Sequence, residues 1–217
     1  MIDFDYERAV KLQSILSRRV LEEYESFPSI DLGSVKYVLG VDASYRDNEI
    51  IGVAVLVDYN TGFVLRNTVV YGKPAIPYIP GLLAFREAPV YFKAIEKIGF
   101  KPDIVFVNGH GLSHPRAFGI ATHIGLVLGK PSIGVAKKKL FGEEIVIDNN
   151  VYVKAHGRIV GRVIEHSGLK LYVSVGYGIN LEKAVEATNR LLKPGYKLPV
   201  PLEIADKISK REARKIK

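Results

Sequence analysis

The chain predicts an α/β protein on a central mixed sheet, three antiparallel strands followed by parallel ones, flanked by helices. Two observations carry this. Apolar segments at residues 35–45, 50–58 and 62–70 follow one another closely, with Asp47-Asn48 and Asn60-Thr61-Gly62 as the turn residues, which is the spacing of an antiparallel meander. Further on, short uninterrupted apolar strands at 103–107 and 132–136 alternate with a helical pattern over 115–128. Such alternation marks a parallel sheet covered on both faces.

The elements follow in order. Residues 3–24 read as an amphipathic helix, with Phe4, Val10, Leu12, Ile15, Leu16, Val20 and Leu21 interleaved with charges and Pro28 as its stop. The meander comes next, then a helix after Gly81. Beyond the parallel strands, segments 146–155, 159–165 and 171–175 read as further strands, 181–192 as a helix, and the chain from 202 as a basic helix. Three antiparallel strands, then helix, strand, helix, strand and a late helix match the ribonuclease H-like fold. A Rossmann-type rival would show a glycine-rich turn after its first strand, and none is present. With 217 residues, no repeat and no long linker, a single domain spanning 1–217 is expected.

A net charge of +8 favours an anionic partner. The absence of cysteine excludes disulfides, thiolate metal sites and cysteine nucleophiles. No apolar run is long enough to span a bilayer and no leader pattern opens the chain, so a cytoplasmic protein without membrane contact is expected, and a monomer.

The stretch Pro77-Tyr78-Ile79-Pro80-Gly81-Leu82-Leu83-Ala84-Phe85-Arg86-Glu87 is the least ordinary. Two prolines stiffen a loop that holds Tyr78 outward, and Gly81 frees the backbone before a helix. On that helix Leu83, Glu87, Val90, Ala94 and Ile98 share one face, so Glu87 falls in the apolar stripe. A carboxylate there requires a partner or a metal. Pro89 either kinks the helix or marks its first turn.

Other polar groups sit at strand tips, where ligands gather in such sheets. Asp42 interrupts an apolar first strand, as a turn cap or as a metal ligand. Asn108 ends a strand and is followed by Gly109-His110-Gly111, either a tight turn or a loop that lets a base approach closely. His114-Pro115 is read as opening the next helix. His110 and His114, four apart in a glycine-rich loop, lack the helical context of a zinc site, and His123 reads as structural. Lys137, first of three lysines after a strand, is either a phosphate contact or part of a solvated face. Gly125 to Lys130 lacks the spacing of a phosphate-binding loop. The C-terminal helix offers a basic face, with Asp206 as its early acid.

Together these motifs resemble the endonuclease V family, nucleases that recognise deaminated adenine. The resemblance runs from Leu39 to the last helix. It rests on Gly40-Val41-Asp42-x-Ser44-Tyr45, the stretch 77–87, Gly109-x-Gly111-x-x-His114-Pro115-Arg116, and Ile133-Gly134-Val135-Ala136-Lys137. It implies a magnesium- or manganese-dependent endonuclease for DNA repair that cuts the second phosphodiester bond 3′ to an inosine in DNA, with RNA as a second candidate. In that picture Asp42, Glu87 and the strand-tip position of Asn108 bind metal, with Asp206 as a further ligand. Tyr78, held by Pro77, Ile79 and Pro80, fills the gap left by the displaced base. Gly81, Leu83 and Gly109 line the base pocket with His114 close by, Arg86 and Arg116 complete the substrate-binding set, and Lys137 contacts the phosphate.

Two departures stand out. The family has aspartate where this chain has Asn108, which offers an oxygen but no charge and points to an inactivated form. Relatives often have histidine where this chain has Asp206. The alternative reading is a non-cleaving binder of inosine or of nucleic-acid structure on the same fold.

Overall fold

The computed structural model describes residues 4–216. Among them run α1 (Tyr6–Glu23), β1 (Tyr37–Arg46), β2 (Glu49–Asp58), β3 (Val64–Gly72), α2 (Leu83–Ile98), β4 (Ile104–Asn108), α3 (Ile120–Leu128) and β5 (Ser132–Ala136). They are followed by β6 (Glu143–Ile147), β7 (Asn150–Ala155), β8 (Arg158–His166), β9 (Leu169–Tyr177), α4 (Leu181–Arg190) and α5 (Val200–Ala213). The strands form one sheet in the order β3-β2-β1-β4-β5-β9-β8-β7-β6. The meander β1–β3 is antiparallel, and β1, β4 and β5 are parallel neighbours, as the sequence predicts. Past β5 the further strands run antiparallel, β9 beside β5 and the β6–β8 hairpins outward from it. Short turns join these strands, and turns of that length can only reverse direction.

Both faces of the sheet are covered. On one, Val38, Val53, Phe106 and Ile133 pack with Val185 of α4 and Leu202, Ala205 and Ile208 of α5. On the other, Leu39, Val41, Val105 and Val107 meet Ala88, Tyr91 and Ala94 of α2 and Ile120 and Ile124 of α3. Alternation along β1 therefore assigns Asp42 to the α5 side. Strand β4 stops at Asn108 while β1 runs on against β2 alone. Asp42, one residue past the Val41–Val107 pair, is level with Asn108 where the parallel pairing ends. No helix among the described residues is long and apolar enough to cross a membrane.

Three local expectations need correction. Pro115 does not open a helix: Pro115 and Arg116 are the centre of a turn closed by Ala117 N–H on the His114 carbonyl, 2.8 Å, and Ala117 is left-handed with φ 48°. The loop folds back further through Gly119 N–H to Gly111 O, so α3 starts only at Ile120. The segment 146–155 is two strands, split by Asp148 and Asn149, whose φ values of 47° and 61° make the tight hairpin turn that matches strand twist. For Pro89 the first-turn alternative fails, since it lies inside α2, which starts at Leu83, with its ring exposed on the outer face.

Candidate functional site: a carboxylate pair beside a cavity

The stretch 77–87 folds as its residues dictate. Leu82 N–H donates to Ile79 O at 3.0 Å across Pro80 and Gly81, and Gly81 has φ 80°. Proline at the first central position and a left-handed glycine at the second define a type II turn. Ile79 and Leu82 pack with Ile76 onto Ala9 and Val10 of α1, which leaves Tyr78 projecting with 69% of its surface exposed. Arg86 donates to the Ile76 carbonyl and lies 4.7 Å over the Tyr45 ring, so it braces the base of the loop.

Glu87 is buried, as its place in the stripe predicts, and accepts from the hydroxyls of Tyr45 at 2.8 Å and Tyr91 at 2.9 Å. Burial pushes its pKa up to about 7, an effect these hydrogen bonds only partly offset. Asp42 is equally buried, accepting from Asn108 Nδ2 at 2.8 Å and from Ser209 Oγ at 3.2 Å. Burial raises its pKa to about 6, with the charge of Asp206 adding to the rise. Among the described residues neither acid has an ion-pair partner within 4.0 Å. Two buried carboxylates with a nearby amide oxygen are a hard-oxygen donor set of the kind magnesium and manganese take. No group of three His, Asp or Glu able to hold an ion alone is found among the described residues. Asp206 is near enough to influence Asp42 but is itself paired with Lys210 at 2.7 Å.

Beside this pair a cavity of about 400 Å³ opens between two walls. Tyr78, Gly81, Leu83 and Ala84 form one; Asn108, Gly109, His114, Phe118 and Ile120 form the other, with Lys137 at the rim. Pro77, Ile79, Pro80, Arg86 and Arg116 support the walls without lining the space. Lys137 is exposed one residue beyond the tip of β5, as strand direction implies. His114 donates Nε2–H to Gly81 O at 3.1 Å and accepts the Arg116 N–H on Nδ1 at 3.1 Å. Accepting on Nδ1 requires the neutral ring. Burial, assisted by Arg116, lowers its pKa to about 4.

Sequence reading missed Gln13, Tyr91 and Ser209. Tyr91 was within reach, four residues after Glu87 and hence on its face. Ser209 stands three residues after Asp206. Gln13 is fully buried in α1 among Ala9, Ser17 and Val20, and its one signal is an amide inside an apolar stripe.

The sequence model of endonuclease V matches residues 16–207. Endonuclease V of Desulfurococcus amylolyticus is 58% identical over 213 residues, covering 98% of this chain and 97% of that protein. The crystal structure of endonuclease V from Streptomyces avermitilis superposes with a TM-score of 0.86 at 32% identity, over 97% of this chain and 94% of that one. An endonuclease V of Ciona intestinalis, in complex with a 24mer DNA containing an inosine, shares the fold at TM-score 0.80 and 22% identity, over 95% and 96% of the two chains. By the extent of these matches, the chain belongs to the endonuclease V family.

Proposed function

We propose that this protein is a divalent-metal-dependent endonuclease that draws an inosine base out of nucleic acid and hydrolyses the second phosphodiester bond 3′ to it, in the repair of deaminated adenine. The observation that carries the reading is the cavity, which reaches from the exposed Tyr78 on one wall to Asn108 beside the buried acids on the other. Its volume suits a small ligand.

Tyr78, stiffened by Pro77 and Pro80, enters the stack and replaces the displaced base, recovering part of the unstacking cost. The base rests between Gly81–Leu83 and Gly109, where backbone groups and neutral His114 face it. Lys137 holds a phosphate oxygen at the rim. Asp42 and Glu87 hold a magnesium or manganese ion, with Asn108 as a neutral third donor and Asp206 available if it leaves Lys210. When bound, that ion supplies positive charge for the attacking and leaving oxygens. Tyr45 and Tyr91 fix both oxygens of Glu87, so its orientation is set before any ligand arrives. Asn108 brings no charge, and we assign this chain weakened activity relative to one with aspartate there.

The test is a duplex with one inosine, incubated with magnesium or manganese and with chelator, its products mapped at nucleotide resolution. Metal-dependent cutting at the second bond 3′ to inosine, absent from the undamaged duplex, supports the reading; equal cutting of both duplexes defeats it. A second reading, a non-cleaving inosine binder, draws on one observation: Asn108 turns its amide N–H, not its oxygen, towards Asp42. Preference for inosine with no cutting in any metal, by this chain and by Asn108→Asp, would establish the binder.

A further inference from the structure

Gln13 joins parts of the chain that the cavity keeps apart. Its Nε2 donates to Gly81 O at 3.0 Å and to Phe118 O at 3.2 Å, and its Oε1 accepts from Arg116 Nε at 2.6 Å. Carbonyl oxygens only accept, so both contacts fix the amide nitrogen and exclude the flipped amide. Gly81 belongs to the turn carrying Tyr78, and Phe118 to the loop between β4 and α3, so one side chain spans both walls. The Gly81 carbonyl also receives His114 Nε2 and the Arg116 guanidinium at 2.7 Å, which gathers the wedge turn, α1 and the strand-tip loop at one oxygen.

We infer that Gln13 is a positioning residue for base recognition: it sets the separation of the two cavity walls and the seating of the Tyr78 turn. The inference rests on the proposed function, since it assigns the discrimination of that pocket to a strut that ties its two walls together. Gln13 lines the cavity where the two walls meet, and its three hydrogen bonds go to Gly81, Phe118 and Arg116, so its effect passes through those groups. Substitution removes donors, not packing volume. The cavity walls then part or close, and the fit to a purine is lost before the fold is.

Two variants test it. Gln13→Leu keeps the helix and the shape but makes none of the three bonds. Gln13→Glu keeps an acceptor for Arg116 and loses both donated bonds. The full-length protein is titrated with inosine-containing and undamaged duplexes in calcium, and the ratio of the two dissociation constants is the readout. A loss of two buried hydrogen bonds should lower that ratio about tenfold in each variant. In parallel, hydrogen exchange at the Leu82 amide, which closes the Pro80-Gly81 turn, should quicken in both. A ratio held within twofold, or unchanged exchange at Leu82, overturns the inference, as does native behaviour of Gln13→Glu. Were the unsubstituted protein itself indifferent to inosine, the proposed function would fall, and the exchange measurement alone would decide whether Gln13 seats the turn.

Discussion

Asn108, the last residue of β4, stands level with Asp42 in the middle of β1, joined to it by a 2.8 Å hydrogen bond from Nδ2 to Oδ1. An isosteric aspartate at 108 could not make this bond while ionised. Its charge would face Asp42, and only a cation would hold the two together. Asparagine thus stabilises the site as it stands, and under the proposed function the same contact would weaken metal binding.

Asn108→Asp should therefore bind manganese at least tenfold more tightly, because a unit charge about 4 Å from a cation contributes several kcal/mol at an effective dielectric near 20. Cleavage of inosine-containing duplex should rise with it, and in chelator the variant should melt lower than the parent. Calorimetric titration and thermal melts measure the two effects. Equal affinity in both proteins would remove position 108 from the metal site.

Glu87 gives a pH-dependent prediction. Its pKa is raised by burial, so the folded state holds its proton more tightly than the unfolded chain does. Its contribution to stability is therefore fully present below the ordinary carboxylate range and is lost as pH rises to about 7. The three lowered histidines, His110, His114 and His123, work in the opposite direction, losing stability as pH falls below the usual imidazole value. Comparison with Glu87→Gln cancels that background. In chelator the glutamine variant should be the more stable at pH 8, on the order of a few kcal/mol, with the gap closing by pH 4. A gap that does not change with pH would mean that Glu87 titrates normally.

The position of Glu87 was legible because helical spacing alone puts it among Val90, Ala94 and Ile98. Asp42 was legible as an acid inside an otherwise apolar strand, and Lys137 because a strand's direction says where its tip residue points. The loop from Gly109 to Gly119 was not, since its path is set by contacts distant in sequence, such as Leu112 N–H on Val175 O. Gln13 was invisible for the same reason: its partners lie 68 and 105 residues away. The resemblance named Arg86 and Arg116 as substrate contacts, and both are occupied holding backbone carbonyls.

Tyr78→Ala should leave stability almost unchanged, because the ring is 69% exposed and packs on little. Affinity for inosine-containing duplex should fall by tenfold or more, since base–aromatic stacking contributes roughly 1–3 kcal/mol. Single-stranded substrate, with less stacking to replace, should be less affected. Equal losses on both substrates would argue against a wedge.

Gly81→Ala should behave differently. At φ 80° an L side chain is strained, and the added methyl would meet the Arg116 guanidinium. The expected cost is about 1–3 kcal/mol, read as a lower melting temperature together with loss of inosine preference. Normal melting would show that the turn can shift without consequence.

Nucleic-acid binding as proposed should weaken with salt, and the structure distinguishes which basic residues should carry that dependence. The terminal helix reads as a phosphate-binding face, but its cations are largely engaged: Lys207 with Glu203 at 3.2 Å, Lys210 with Asp206 at 2.7 Å, and Lys215 with Glu212 at 2.7 Å. A lysine already beside a carboxylate displaces fewer counterions on meeting a phosphate. Lys137 and Lys138 are exposed at the cavity rim and make no ion pair among the described residues. Replacing either with alanine should lower the slope of log affinity against log salt by about 1, while Lys210→Ala should change it by much less. Affinity titrations from low to moderate salt measure this directly. An equal loss of slope for Lys210→Ala would place α5 in the nucleic-acid interface, with its ion pairs opening as phosphate binds.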